Sequence, residues 1–494
     1  MDVAARMARG AAWMVAWRVA ERTLGLLSTL VLARLLVPGD FGLVSMATSI
    51  ITMLALLSAF SFDTALIQNP NSERRHYDTA WTLGVLFGLF NGLVLLGLAA
   101  PAARFYSEPR LEGVLYCLSA TAFLGGLANI GTVAFRKELQ LGKEFQFQVA
   151  KKVIMVIVTI VLAALFRSYW ALVIAALVSS VLGILISYAM HPYRPRFSLA
   201  AWHDLFHFSK WLLVTNFLSF LHDRGVDFII GKISGPRSLG LYNVAYEVSN
   251  LPTTELVAPI TRATFPGYTK IAGDPATLRA MFVKVTGVIA LLTVPAGIGI
   301  AATSDLVVSL ALGRNWADAS PLIAVLAFCG VVYSLQANTG SVLLALGKVR
   351  ALTGILAIQT SVLMVALVWG AYYAGAMGVA IATVTIAIVL APINLTQVFR
   401  AIDLRYAEYL TAVWRPIVAA AAMYGVVRLL DHSWHATTLL EQLWQALVLV
   451  VIGAGVYTGA VLALWRLASC PGGAETYVMG KLRISRILSR RASN

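Results

Sequence analysis

Three long apolar stretches of this chain carry charges. Arg18, Glu21 and Arg22 interrupt the first, Asp223, Arg224 and Asp227 the seventh, and Glu247, Glu255 and Arg262 the eighth. If the first is helical, steps of three and four residues put Arg18 and Arg22 about 40° apart on one face, with Glu21 about 60° to the other side of Arg18. A charge at membrane depth costs at least about 2.5 kcal/mol, so this face must look at water or at a partner. An internally neutralised Arg–Glu pair that only packs the bundle would meet that demand, yet one cation is left over. Arginine's planar fork donates two bonds to one phosphate, so the face is suited to gripping a diphosphate.

The seventh stretch is net acidic. Asp223 and Asp227 share a face, and Arg224 reaches Asp227 three residues on. A gating salt bridge, a proton or sodium site and plain structural pairing all fit this pattern. The eighth stretch holds Pro252, Pro259 and Pro266, one every seven residues and so near one face. Each interior proline removes a helix hydrogen bond, so a bent cavity wall or a static kink is expected there. Such a broken, charged helix is tolerated only against protein or water. Asp63, near the inner end of the second stretch, is expected to help close the cytoplasmic side with the other acids.

The elements that must position these residues follow from composition. With 59% hydrophobic and 12% charged residues among 494, and a mean hydropathy of +0.79, the chain cannot be a soluble domain. Apolar stretches of about 20 residues recur along it, about fourteen in all, each long enough to cross a hydrocarbon core about 30 Å thick. They must be helices, since a barrel would show short alternating segments. The expected fold is an all-α polytopic membrane protein.

The net charge of +15 does not mark a nucleic-acid surface, because its placement is one-sided. With both termini in the cytoplasm, roughly 26 of the 38 Lys and Arg fall on that side and about 8 outside. The inner set includes Arg136, Lys137, Lys143, Lys151 and Lys152, assigned to one loop, and Lys481, Arg483, Arg486, Arg490 and Arg491 in the tail. That tail reads either as a short amphipathic helix on the membrane lipids or as a solvated coil. Tryptophans such as Trp13, Trp81 and Trp202 lie near span ends, as an interfacial belt would.

A residue run occurs twice. Ala33-Arg-Leu-Leu-Val-Pro-Gly-Asp-Phe-Gly-Leu43 reappears as Gly231-Lys-Ile-Ser-Gly-Pro-Arg-Ser-Leu-Gly-Leu241. Arg34 answers to Lys232, Pro38 to Pro236 and Gly42 to Gly240, all at one offset of about 198 positions. Ala128-Asn129-Ile-Gly131, followed by Leu141-Gly-Lys143, is echoed by Ala337-Asn338-Thr-Gly340 and Leu346-Gly-Lys348. The expected organisation is an N-lobe of six spans (1–190), a cytoplasmic linker (191–206) and a C-lobe of six spans (207–400). Two further spans (401–470) and a basic tail (471–494) follow. Six is even, so the lobes are parallel repeats, the layout of an alternating-access transporter.

Leu32-Ala-Arg-Leu-Leu-x-Pro-x-Asp-Phe-Gly-Leu43, with Asp227-Phe-Ile-Ile-Gly231 and Leu239-Gly-Leu-Tyr-Asn-Val-Ala245, resembles the bacterial oligosaccharide flippase (polysaccharide transporter) family. That family belongs to the multidrug/oligosaccharidyl-lipid/polysaccharide exporter superfamily. The resemblance implies a V-shaped bundle of two six-helix lobes in the bacterial inner membrane. It also implies a substrate, an undecaprenyl-diphosphate-linked oligosaccharide moved from the cytoplasmic to the periplasmic leaflet for lipopolysaccharide or exopolysaccharide synthesis. Arg18 and Arg22 are then the expected diphosphate ligands, with Arg224 and Arg262 as weaker candidates. No catalytic constellation or cofactor is expected, and coupling to H+ or Na+ stays open. A polysaccharide polymerase and glycosyltransferases are candidate partners, and nucleic acid is not. The alternatives are a cation-coupled multidrug antiporter of the same superfamily, a peptidoglycan-precursor flippase and, least favoured, a membrane-embedded polymerase or ligase.

Overall fold

The computed structural model describes residues 3–57, 66–67, 69, 72–202, 210–434, 436 and 438–481. Among these, regular structure is helical throughout, with no strand. Among the described residues, nine helices are long and apolar enough to cross a membrane, or ten if the bent pair Arg110–Gly126 and Ile130–Lys137 is one span. This is a multi-pass helical membrane protein. The tally leaves out the charge-bearing helices at Val3–Leu35 and Lys210–Ser249 and takes the broken Val349–Ile402 as one, so it does not fix the expected count of fourteen. The chain divides into two compact units, Met1–Gly240 and Leu241–Asn494.

The first unit contains α1 (Val3–Leu35), α2 (Pro38–Leu57), α3 (Arg74–Tyr106), α4 (Arg110–Gly126), α5 (Leu141–Phe166), α6 (Trp170–Met190) and α7 (210–234). Helices α3 and α4 run antiparallel on a ladder of small residues. A Cβ added to Gly88 would stand 3.0 Å from the Phe123 carbonyl, and one on Gly92 would stand 3.0 Å from that of Ser119. Gly84, Gly88 and Gly92 repeat every four residues, the spacing that lets membrane helices approach backbone to backbone. Helix α1 lies parallel to α5. Trp13 packs on Gly142 and Phe145, Gly25 faces Lys152, and Leu32 shares a core cluster with Ala163.

Helix α5 corrects one expectation. Lys143, Lys151 and Lys152 are not loop residues, because α5 already begins at Leu141. Lysine's methylene stem is apolar and its helix propensity is good, so the helix starts before the apolar run does.

The segment after α6 is fastened rather than loose. The Tyr193 hydroxyl and the Arg196 N–H donate to Asp78 Oδ1 at 2.7 and 2.8 Å. Ser198 N–H reaches Thr82 Oγ1 and Ala201 N–H reaches Thr79 Oγ1, both on α3. Asn129, buried in the bend after α4, donates to the His191 and Tyr193 carbonyls. The expected linker is thus strapped to α3 as far as residue 201; residues 203–206 lie outside the described residues.

Helix α7 meets α8 (236–249) at Gly235, whose φ of 80° is open only to glycine at little cost. The division between the units falls within α8, between Gly240 and Leu241. The helix continues through a π-turn, Thr253–Val257, into Ala258–Lys270. Pro259 has no N–H for the Glu255 carbonyl, and the turn before it widens so that Ala258 N–H reaches back to Thr253 O. The expected interruption of this stretch is therefore seated between Pro252 and Pro259, while Pro266 stays within helix.

The rest of the second unit is α9 (Pro275–Ala302), α10 (Ser320–Ala345), α11 (349–373), α12 (376–402), α13 (Tyr406–Ser433), α14 (Leu439–Leu467) and the short α15 (Ala474–Lys481). Helices α11 and α12 form a hairpin broken at Ala374 and Gly375, where Gly370 and Gly378 pack on each other's carbonyls. Phe282, Val294, Met423 and Tyr457 belong to the main core of this unit. Some of its buried polar side chains are bonded across helices. Thr293 pairs with Ser334 at 2.8 Å, and Asn338 donates to the Tyr268 hydroxyl at 2.7 Å.

Candidate functional site: charged faces of α1 and α7

Helix α1 is continuous through its charged stretch, so Arg18, Glu21 and Arg22 do share one side of it. Arg18 and Glu21 are exposed and Arg22 is half-buried. Gly25, one turn beyond Arg22, lies on the same side, about 20° from Arg18. The Lys152 ammonium of α5 comes to 4.0 Å from where a Gly25 Cβ would be. The lysine escaped the sequence reading because a Lys-Lys pair at the edge of an apolar run looks like loop.

On α7 the acids part company. Asp227 is 1% exposed and accepts the Ser49 hydroxyl of α2 at 2.5 Å. Arg224 Nη1 lies 3.4 Å from the same carboxylate oxygen, while Asp223 is exposed. Nothing in the sequence singled out Ser49 as a partner, since it lies 178 positions from Asp227. One turn further, a Cβ on Gly231 would stand 2.7 Å from the Tyr106 ring and 3.2 Å from Met46 Cε, so α7 sits close on α2 and the end of α3. Lys232 is exposed at this end, 3.5 Å from Ser107 Oγ and 5.5 Å from the Phe105 ring centre.

The repeated turns touch. A Cβ on Gly42 would collide with the Pro236 carbonyl, and one on Gly240 with the Pro38 carbonyl. The contact is reciprocal: Gly42's Cβ position is 2.9 Å from Gly240 N, and Gly240's is 3.0 Å from Gly42 N. The glycines of the repeat are where the starts of α2 and α8 cross. Pro38 is buried there, Pro236 half-buried, and Arg34 exposed.

In the second unit, Glu247 is half-buried, whereas Glu255 and Arg262 are exposed on either side of the π-turn's end. Glu255 accepts the Thr254 hydroxyl at 3.0 Å. Asp63 and the tail arginines Arg483, Arg486, Arg490 and Arg491 lie outside the described residues.

These features sit on a chain whose residues 31–321 match the family model described as "Polysaccharide biosynthesis protein". The chain belongs to that family. Its curated relatives include the lipopolysaccharide biosynthesis protein WzxC of Escherichia coli K12, 26% identical over 84% of this chain and 86% of the relative. The succinoglycan biosynthesis transport protein ExoT of Rhizobium meliloti is 24% identical over 91% of this chain and 92% of its own length. Among solved structures, the lipid II flippase MurJ in an inward closed conformation has the same fold at a TM-score of 0.70. The two are 13% identical, and the match covers 92% of this chain and 99% of that one. An inward-facing multidrug resistance MATE transporter follows at a TM-score of 0.57 and 15% identity, over 78% of this chain and 96% of its own. The match to the polysaccharide biosynthesis family spans both copies of the repeated turn and the whole of α7.

Proposed function

We propose that this protein moves a polyprenyl-diphosphate-linked oligosaccharide from the cytoplasmic to the periplasmic leaflet of the bacterial inner membrane, by alternating access and without covalent chemistry. The observation that carries the reading is the cationic side of α1, with Arg18 and Arg22 one helical turn apart in the middle of the helix. Two guanidinium forks at that spacing suit the two phosphates of a lipid diphosphate, and the prenyl chain stays in hydrocarbon. The relatives named for lipopolysaccharide and succinoglycan biosynthesis support this class of cargo. The skew of Lys and Arg supports a reading with both termini in the cytoplasm. Glycosyltransferases that finish the lipid-linked oligosaccharide would feed the protein, and a polymerase would take its product.

Arg224 and Arg262 are secondary ligands in this scheme. Asp63, Asp223, Asp227, Glu247 and Glu255 serve gating or coupling to H+ or Na+, with Asp227 the strongest candidate because its carboxylate is buried and shared by Ser49 and Arg224. A substrate drives such a cycle only by binding its two states differently, so the arginines must meet the head group in one state more closely than in the other.

The test is translocation of a fluorescent polyprenyl-diphosphate oligosaccharide in proteoliposomes. Wild-type protein is expected to flip it. Arg18→Ala and Arg22→Ala, folded by thermal midpoint, are expected to lose at least about tenfold in rate, the weight of one charge-assisted contact. Export of a cationic dye by a wild type that ignores the lipid would replace the reading with the antiporter. Flipping untouched by both substitutions would remove the arginines from the site.

A further inference from the structure

We infer that Lys152 of α5 is a third diphosphate ligand, completing the cationic side of α1 from a neighbouring helix; the inference rests on the flippase reading above. The placement follows from the parallel packing of α1 on α5. Trp13 stands beside Gly142 and Phe145, and Leu32 clusters with Ala163, so the register between these anchors carries Gly25 to Lys152. Gly25 projects from α1 between Glu21 and Arg22, about 40° from the first and 60° from the second. It has no side chain, and the space where a Cβ would sit is approached by the Lys152 ammonium at 4.0 Å. The ammonium therefore enters the same row as the arginines, one turn beyond Arg22.

Its neighbour does something else. Lys151 directs its Cε to 3.7 Å from the Cβ position of Gly183 on α6, and its ammonium lies 5.0 Å from the Phe147 ring centre. Adjacent helix positions diverge by about 100°, so only Lys152 joins the α1 row. The acid on the same helix is engaged elsewhere. Glu144 accepts from Gln148 at 2.8 Å and lies 3.9 Å from Arg136, two turns below Lys152. Arg18, Arg22 and Lys152 set three cations beside the one acid Glu21. An anion of more than one charge suits such a row better than a singly charged one. A diphosphate meets that description, and a monophosphate meets it less well. Two forks and a point charge also divide the work by geometry. The arginines fix the orientation of the phosphates, while the flexible ammonium adds attraction without demanding an angle.

The experiment compares wild type, Lys152→Gln, Lys152→Arg and Lys151→Gln in the same proteoliposomes, with polyprenyl-diphosphate and polyprenyl-monophosphate oligosaccharides as separate substrates. Thermal midpoints of the purified proteins are taken alongside. Lys152→Gln is expected to raise the apparent KM for the diphosphate lipid about tenfold, the weight of one charge-assisted hydrogen bond. It should leave the monophosphate lipid nearly unchanged, so that discrimination between the two collapses. Lys152→Arg should restore most of the affinity, and Lys151→Gln should behave as wild type. Inorganic pyrophosphate, added as competitor, should inhibit wild type more than Lys152→Gln. If it inhibits both equally, the lysine does not read phosphate. A Lys152→Gln protein with wild-type KM, or one that loses both substrates equally, overturns the inference while the flippase reading stands. A wild type that transports neither lipid overturns both.

Discussion

Gly42→Ala is expected to cost about 3 kcal/mol or more and to leave little protein folded after extraction. The added methyl would fall on the Pro236 carbonyl, and the next atoms behind it are Pro236 C and Gly240 N at 2.6 and 2.9 Å. All three are backbone, so no rotamer change can make room, and the starts of α2 and α8 must separate. Gly240→Ala is expected to do the same through the Pro38 carbonyl. Because the two glycines guard one crossing, the double variant should cost less than the sum of the singles; once one methyl has parted the helices, the second finds space. Gly39→Ala is the control in the same turn, where a Cβ meets nothing within 4 Å. It should match or slightly exceed wild type, as glycine-to-alanine changes in open helix do. Thermal midpoints in detergent, with the fraction eluting as folded protein, read the result. A Gly42→Ala protein that melts with wild type would mean the crossing is not held this close.

Glu475→Ala is expected to release α15 from the second unit. Glu475 Oε1 lies 3.2 Å from Arg415 Nε, and both side chains are 5% exposed. Arg415 Nη2 donates to the Thr411 carbonyl at 3.2 Å. Removing one member of a buried pair strands the other, at about 3–5 kcal/mol. A short helix held at one end has a cheaper response, which is to undock and let water reach the guanidinium. The Lys284 ammonium also lies over the Tyr477 ring, 3.9 Å from its centre, and Ala474 packs against Gly287 of α9. Rapid proteolysis near Lys481 in Glu475→Ala, slow in wild type, is the expected signature. Arg415→Met combined with Glu475→Leu should restore protection, since matched apolar side chains can replace a buried ion pair without loss. Equal cleavage of wild type and Glu475→Ala would show that the pair does not anchor the helix.

Much of this architecture was legible in the amino-acid order. A charge in a long apolar run is conspicuous, and helical geometry alone puts Arg18, Glu21 and Arg22 on one side of α1. Pro252 and Pro259 announced an interrupted helix, because a missing N–H is a local fact. The twice-occurring turn, with Pro38 and Gly42 matched by Pro236 and Gly240, marked related positions without any coordinates. Composition alone assigned the chain to the membrane, since the cost of exposing so much apolar surface depends on amount rather than arrangement.

Tertiary structure decided what touches what. That the two repeat turns press glycine to carbonyl, that Asp227 takes the Ser49 hydroxyl, and that Lys152 comes up to Gly25 of α1 all join positions far apart in the chain. In a bundle of apolar helices, lipid and neighbouring protein offer nearly the same environment, so hydrophobic patterning does not say which faces meet. Close packing does, through the small residues that let backbones approach and the few polar groups that must find partners, and both depend on register between helices rather than on order within one.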